Sequence, residues 1–233
     1  NVVFQLFSNG EDEGRDISSR LDALDLTLEA ANEMYYLRRM AAELGDPAGE
    51  KEWREKFDRT AALVNKYMWD PASGFYYHIA MDDRTFEFEG QSLKRKELIG
   101  FLPLWAHVAP KDRARTLVRE LQNPSTFWRT FGVPSLAAND PNYTPFVDGC
   151  CRWNGPIWLL WDYMVMEGLR AYGEERLANQ LGEKMLLAVT TQLKKNHRFW
   201  ESYSPDFPVL ECPQNYIWDS IMAKVLLDMH GYR

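Results

Sequence analysis

The sequence predicts an all-α fold on three observations. Apolar residues recur at helical spacing in seven separate stretches, strand-like alternation is scarce, and no linker or low-complexity segment divides the 233 residues. The expected exception is a minor β-hairpin near 75–88. A single domain over 1–233 follows from the same continuity.

Taken in order, Leu26, Ala30, Met34, Leu37, Ala41 and Leu44 form the first stripe, which Gly45-Asp46-Pro47 stops. Trp53, Phe57, Ala61, Val64 and Met68 form the second, ended by Asp70-Pro71. The run Gly74-Phe75-Tyr76-Tyr77-His78-Ile79-Ala80 after that turn reads as a strand, with Thr85-Phe86-Glu87-Phe88 as its hairpin partner. Leu98, Leu102 and Trp105 mark a third helix, and Ala114, Leu117, Val118 and Leu121 a fourth between Pro110 and Pro124. The fifth carries Ile157, Leu160, Trp161, Met164, Val165, Gly168 and Leu169, apolar on most sides, so deep burial is expected. Leu177, Leu181, Met185 and Ala188 make the sixth. Trp218, Met222, Val225 and Met229 make the seventh, opening after Pro213. Three long loops, roughly 73–92, 122–153 and 197–213, are rich in aromatics, and loops of such length inside a compact domain are usually functional.

Composition narrows the function. A net charge of -7 argues against nucleic acid or an anionic membrane as partner. No apolar run reaches the roughly 18 residues of a bilayer span. Three cysteines, Cys150, Cys151 and Cys212, form neither a disulfide framework nor a zinc pattern. The compartment stays open, with a soluble, cytoplasmic protein favoured. Asn1 opens the chain with neither an initiator methionine nor a signal peptide, so a processed product or a piece of something longer is expected. The aromatic share of 14% suits a cleft that stacks flat apolar faces, as sugar-binding clefts do.

Familiar chemistries find no support. His78, His107, His197 and His230 are scattered without a metal-ligand spacing, and no phosphate loop, dinucleotide fingerprint or nucleophile elbow occurs. No cofactor and no metal are expected. What stands out is carboxylates among aromatics. Asp16 lies in Gly14-Arg15-Asp16-Ile17-Ser18-Ser19-Arg20, where an Asp also suits a plain helix cap. Glu201 lies in Phe199-Trp200-Glu201-Ser202-Tyr203-Ser204-Pro205, where it also suits a surface between core aromatics. Arg152-Trp153-Asn154-Gly155-Pro156-Ile157-Trp158 reads as a helix start or as a cleft wall, and Phe131-Gly132-Val133-Pro134-Ser135-Leu136 as a rigid turn.

Together these segments resemble a family. The stretch Arg20 to Gly45 with its Leu24-Asp25-Leu26 start, Trp69-Asp70 with Gly74-Phe75-Tyr76-Tyr77, and Gly100-Phe101-Leu102-Pro103-Leu104 carry the likeness. So do Gly132-Val133-Pro134-Ser135-Leu136, Trp153-x-Gly155-Pro156-x-Trp158 and Trp200-Glu201-x-Tyr203-x-Pro205. In order and spacing they are similar to glycoside hydrolase family 63 and its mannosylglycerate-hydrolase-like relatives, with trehalases as more distant kin. The resemblance implies an (α/α)6 toroid and inverting hydrolysis of an α-glycosidic bond in an α-glucoside, α-mannoside or glycosylglycerate-type substrate. It implies Asp16 as general acid, with Asp12, Asp22 and Asp25 as neighbouring rivals, and Glu201 as general base. Arg20, Trp153, Asn154, Gly155, Trp158, Trp200 and Tyr203 are expected to bind substrate, with Trp153, Trp158, Trp200, Tyr203 and Asn154 facing one cleft.

Two departures from the family pattern are visible: Asn154 where many members carry Arg, and His78 where an Asp often stands. Seven helices against the toroid's twelve further imply helices six to twelve, a C-terminal seven-helix part whose partner is the missing N-terminal part of the same ring. The expected ligand is a small carbohydrate or oligosaccharide. Two other classes compete: a non-catalytic sugar-binding or scaffold protein of the same fold, and an (α/α) sugar epimerase, for whose paired histidines this sequence is too poor in His.

Overall fold

The computed structural model describes residues 20–146, 153–208, 214 and 217–232. Among the described residues there are seven α-helices: α1 (Leu24–Glu43), α2 (Pro47–Tyr67), α3 (Leu102–Trp105), α4 (Lys111–Leu121), α5 (Leu159–Ala171), α6 (Glu175–Asn196) and α7 (Ile221–Met229). None of them is long and apolar enough to cross a membrane.

The first connection shows how local chemistry sets the path. Gly45 takes a φ of +68° past the end of α1, a region that glycine enters without a Cβ clash. One residue on, the Asp46 carboxylate accepts the Gly49 N–H at 3.0 Å and Pro47 opens α2, so one tripeptide ends a helix and starts the next. So short a turn makes α1 and α2 an antiparallel pair, and they pack together. Likewise α5 and α6 pair across Tyr172–Glu174. Helices α1, α3, α5 and α7 each touch the next, with α2 and α6 packed beside them. Helices thus alternate between an inner row and an outer one along an arc.

One core runs the length of the arc, from Leu24 and Leu28 through Phe75, Phe101 and Phe127 to Met222 and Val225. Phe101 meets Phe127 edge-on at 4.7 Å and Phe75 edge-on at 5.1 Å. Gly100 admits this cluster, because a Cβ there would lie 2.1 Å from the Phe75 ring.

The expected stripes of α2, α4, α5 and α6 face the core, with Trp53 and Leu160 at its margin. In α1 Ala41 is the one residue of the expected stripe that is buried; the others buried there are Leu24, Leu28, Ala31 and Asn32, while Leu26 and Leu44 of the stripe, and Met40, are exposed. The helix is apolar on two sides, and periodicity alone does not say which side meets this core. Leu98 belongs to a 3₁₀ turn, Leu98–Phe101, that runs into α3, and a second 3₁₀ turn, Ile217–Ser220, precedes α7.

The expected single hairpin is three separate two-stranded ladders. Strand β2 (Trp69–Asp70) pairs with β3 (Phe75–Tyr76), β4 (Ile79–Ala80) with β1 (Leu21–Asp22), and β5 (Glu87–Phe88) with β6 (Gln91–Ser92), all antiparallel. The turn Asp70–Gly74 closes the first, its Asp70 carboxylate receiving both the N–H and the hydroxyl of Ser73. Ala80 still donates to the Thr85 carbonyl at 2.9 Å, the remnant of the pairing that the sequence suggests.

Candidate active site

Four loop segments lie side by side, joined by backbone hydrogen bonds too few to form a regular sheet. Ala137 N–H donates to the Lys96 carbonyl and Leu98 N–H to the Ser135 carbonyl, both at 2.9 Å. Ser135 N–H donates to the Pro156 carbonyl at 3.2 Å. Ile157 and Tyr203 exchange both their bonds, at 2.7 and 3.0 Å. The ladder sets Glu97, Ser135, Gly155 and the loop of Glu201 in sequence across the fold. Local chemistry makes the segments extended: Val133 and Gly155 precede prolines, which disfavours helix. Gly155 is also required by contact, since a Cβ there would lie 1.9 Å from the Thr144 carbonyl oxygen.

Residues Trp200 to Pro205 are all buried. Glu201 is 5% exposed, and loss of solvent pushes its carboxyl above the usual range. Tyr203 folds back on its own loop: its hydroxyl accepts the Trp200 N–H at 3.2 Å and donates to Asp219 Oδ1 at 2.5 Å. Burial pushes Asp219 up to about 6, against the opposing pull of the Tyr203 hydroxyl. Beyond the loop, Arg129 and Tyr143 clamp Asp206 at 2.7 and 2.6 Å, and Phe131 N–H donates to the Pro205 carbonyl. The indole Nε1 of Trp200 is buried with no hydrogen-bond partner among the described residues.

On the neighbouring segment, Trp153 and Trp158 stack at 4.1 Å with planes 7° apart, and Trp161 meets Trp153 edge-on. With Glu97, Leu98, Ile99 and Ser135 they line a cavity of about 10 Å³, room for a water and not for a sugar ring. The stacked pair closes on itself. Asn154 braces the adjacent loop, its amide donating to the Asn142 carbonyl at 3.0 Å, while its Oδ1 is buried without a partner.

The structure therefore joins Trp153 and Trp158 around one cavity, with Asn154 and Gly155 on the same segment and Trp200, Glu201 and Tyr203 on the segment that pairs with Ile157. Tyr203 faces a second hollow with Phe131, Gln192 and Phe207. The five residues expected in one cleft are thus neighbours by backbone, but of the five Trp153 and Trp158 line the tryptophan cavity, whereas Asn154, Trp200 and Tyr203 do not. Arg20 is exposed, pairs with Glu89 at 2.9 Å and lies over the Phe88 ring. Asp16 and its rival Asp12 lie outside the described residues, and so do Gly14 and Arg15. Among the described residues no cluster of three His, Cys, Asp or Glu side chains could hold a metal ion.

Three buried acids that touch these loop segments escaped sequence reasoning. Glu97 lines the tryptophan cavity, and its Oε1 lies 3.9 Å from His78 Nε2. His78 accepts the Leu24 N–H at Nδ1, so it carries its proton on Nε2 and completes the start of α1. Burial lowers its pKa to about 4. Asp162 is wholly buried in α5; its Oδ2 accepts the Val133 N–H at 2.9 Å, and burial pushes its carboxyl well above the usual range. Asp219 is the third. Its signal was a lone charge in the apolar run Ile217-Trp218-Asp219-Ser220-Ile221-Met222.

Comparison with known proteins places the chain in a family. A family model described as the mannosylglycerate hydrolase MGH1-like glycoside hydrolase domain matches residues 9–218. Mannosylglycerate hydrolase of Rubrobacter radiotolerans is 26% identical over 194 residues, which cover 83% of this chain and 40% of that protein. Mannosylglycerate hydrolase MGH1 of Selaginella moellendorffii is 34% identical over 123 residues, 51% of this chain and 22% of that protein. The crystal structure of the GH63 mannosylglycerate hydrolase of Thermus thermophilus in complex with glucose superposes with a TM-score of 0.70 at 23% identity. That superposition covers 95% of this chain and 52% of the other. The likeness is one of fold: the described helices are an arc of an (α/α) toroid. The chain spans about half that structure's length and less than half of these two relatives'.

Proposed function

The chain belongs to the mannosylglycerate hydrolase MGH1-like glycoside hydrolase family, and from that premise we propose that it hydrolyses an α-glycosidic bond with inversion, using Glu201 as general base and Asp16 as general acid. The observation that carries this reading is the setting of Glu201. It is a carboxylate made more basic by burial, on a loop that pairs directly with the tryptophan-lined segment. A base acts best when its pKa approaches the working pH, so desolvation favours the role.

In the proposed reaction Glu201 takes a proton from a water whose oxygen bonds to the anomeric carbon. The bond to the leaving oxygen breaks on the opposite face, and Asp16 supplies that oxygen's proton. Inversion asks for roughly 6.5–9.5 Å between the two carboxyls, leaving room for the water. The Trp200 Nε1–H and the Asn154 Oδ1 supply a donor and an acceptor for sugar hydroxyls. The tryptophan pair supplies an apolar face once Trp153 moves off Trp158. Arg20, paired with Glu89, would have to leave that partner to touch substrate. The proposed catalytic domain is a complete ring, in which the exposed face of α1 bearing Tyr36, Met40 and Leu44 receives further helices.

The test is a panel of mannosylglycerate, trehalose and aryl α-glucoside and α-mannoside, with the first-formed anomer followed by NMR. Wild-type protein should release the β-anomer, and Glu201→Gln should release almost none. Release of the α-anomer, or near-normal turnover by Glu201→Gln, would sink the proposal.

A further inference from the structure

We propose that Asp219 is a positioning residue, which fixes the loop of Glu201 by accepting the hydroxyl proton of Tyr203. The inference rests on the reading of Glu201 as general base. Tyrosine has one hydroxyl proton. Because the Tyr203 oxygen already accepts the Trp200 N–H, that proton must go elsewhere, and Asp219 Oδ1 is where it goes. One side chain thus closes a ring over Trp200 to Tyr203, the stretch of chain that carries Glu201.

The far end of the link is anchored in another element. Asp219 stands on the 3₁₀ turn that leads into α7, and this turn and α7 both pack on α5. The near end is anchored by the paired bonds of Tyr203 with Ile157, at the approach to the same helix. The base is therefore held between the two ends of one packed unit. Asp219 is also an expensive way to hold a tyrosine. It is 9% exposed, and its second oxygen is buried with no hydrogen-bond partner among the described residues. Burying a carboxyl oxygen in this state costs stability that an apolar residue would not. Packing gives no reason to keep the charge, whereas a directed acceptor for the Tyr203 proton does.

The experiment measures kcat and KM on the panel above for Glu201→Gln, Tyr203→Phe, Asp219→Ala, Asp219→Asn and the double variant Tyr203→Phe/Asp219→Ala. Each protein is checked by near-UV circular dichroism and assayed well below its melting temperature. A base displaced by a fraction of an ångström to one ångström should lower kcat by about 10- to 100-fold with KM changed by less than about 2-fold. Tyr203→Phe and Asp219→Ala should both show this, and the double variant should fall no lower than the worse single one. Asp219→Asn keeps an oxygen acceptor for Tyr203 and should hold kcat within about 3-fold of wild type.

If Asp219→Ala does not fold, Tyr203→Phe and Asp219→Asn still decide the matter. Folded Tyr203→Phe with wild-type kcat overturns the inference, because a merely structural link would lower the melting temperature and leave turnover intact. Asp219→Asn as inactive as Glu201→Gln overturns it too, since Asp219 would then be a reacting group. Active Glu201→Gln, or no hydrolysis of any glycoside, fails the underlying reading and is told apart by that single variant and the wild type.

Discussion

The middle of the arc and its ends obey different rules. No residue from Leu159 to Arg170 of α5 is exposed, and the loops at its N-terminal approach are nearly as dry. At the ends, α1 shows Met40 at 59% and Leu44 at 84% exposure, and Leu226 and Leu227 stand out from α7. Helices at both places are apolar on more than one side, yet those at the ends meet the core with one side only. The difference teaches why Glu201, the proposed base, is dried by burial: its loop lies against the part of the fold where packing is closed on all sides.

The predictions test that contrast. Glu201→Gln should break the middle functionally without unfolding it, lowering turnover by on the order of 10²–10⁴ with an unchanged melting temperature. Leu169→Ala, in the buried centre of α5, should cost about 2–5 kcal/mol in denaturant unfolding. Leu44→Ser at the open end should stay within about 0.5 kcal/mol of wild type, and its contrast with Leu169→Ala is the sharpest measure of where the core closes.

Between these lie two effects. His78 is neutral in the fold, with a pKa near 4 against an ordinary 6.5, so its contribution is present above 6.5 and lost as pH falls towards 4. Stability should therefore fall as pH drops across that window, and His78→Gln should flatten the slope. Gly155→Ala forces a methyl group against the Thr144 carbonyl and should cost about 1–3 kcal/mol, seen as a lower melting temperature and weakened glycoside binding.

The same contrast explains what was legible in the sequence. Helices α2, α4, α5 and α6 announced themselves because a buried stripe repeats at the helical period over several turns. The face of α1 did not, since Leu26 and Met40 are as apolar as Leu24 and Leu28, and choosing between them takes a neighbour, not a period. The β-ladders were misplaced because two-residue strands carry no alternation; β4 found its partner in Leu21–Asp22, far from the expected hairpin arm. Glu201 was visible through the motif around it. Asp219 showed only as a lone charge in an apolar run and Glu97 not at all, because each owes its place to a contact across many residues, with Tyr203 in one case and the tryptophan segment in the other.

The Trp153–Trp158 stack has an optical consequence. Two indoles 4.1 Å apart and nearly parallel share their excited states, so the pair should give a coupled circular dichroism band that isolated tryptophans lack. A pyranose that seats on Trp158 must part the pair, and the band would vanish in proportion to occupancy. On the proposed reading of this segment as a sugar site, loss of the band would report binding without turnover, without a label and before any bond is broken.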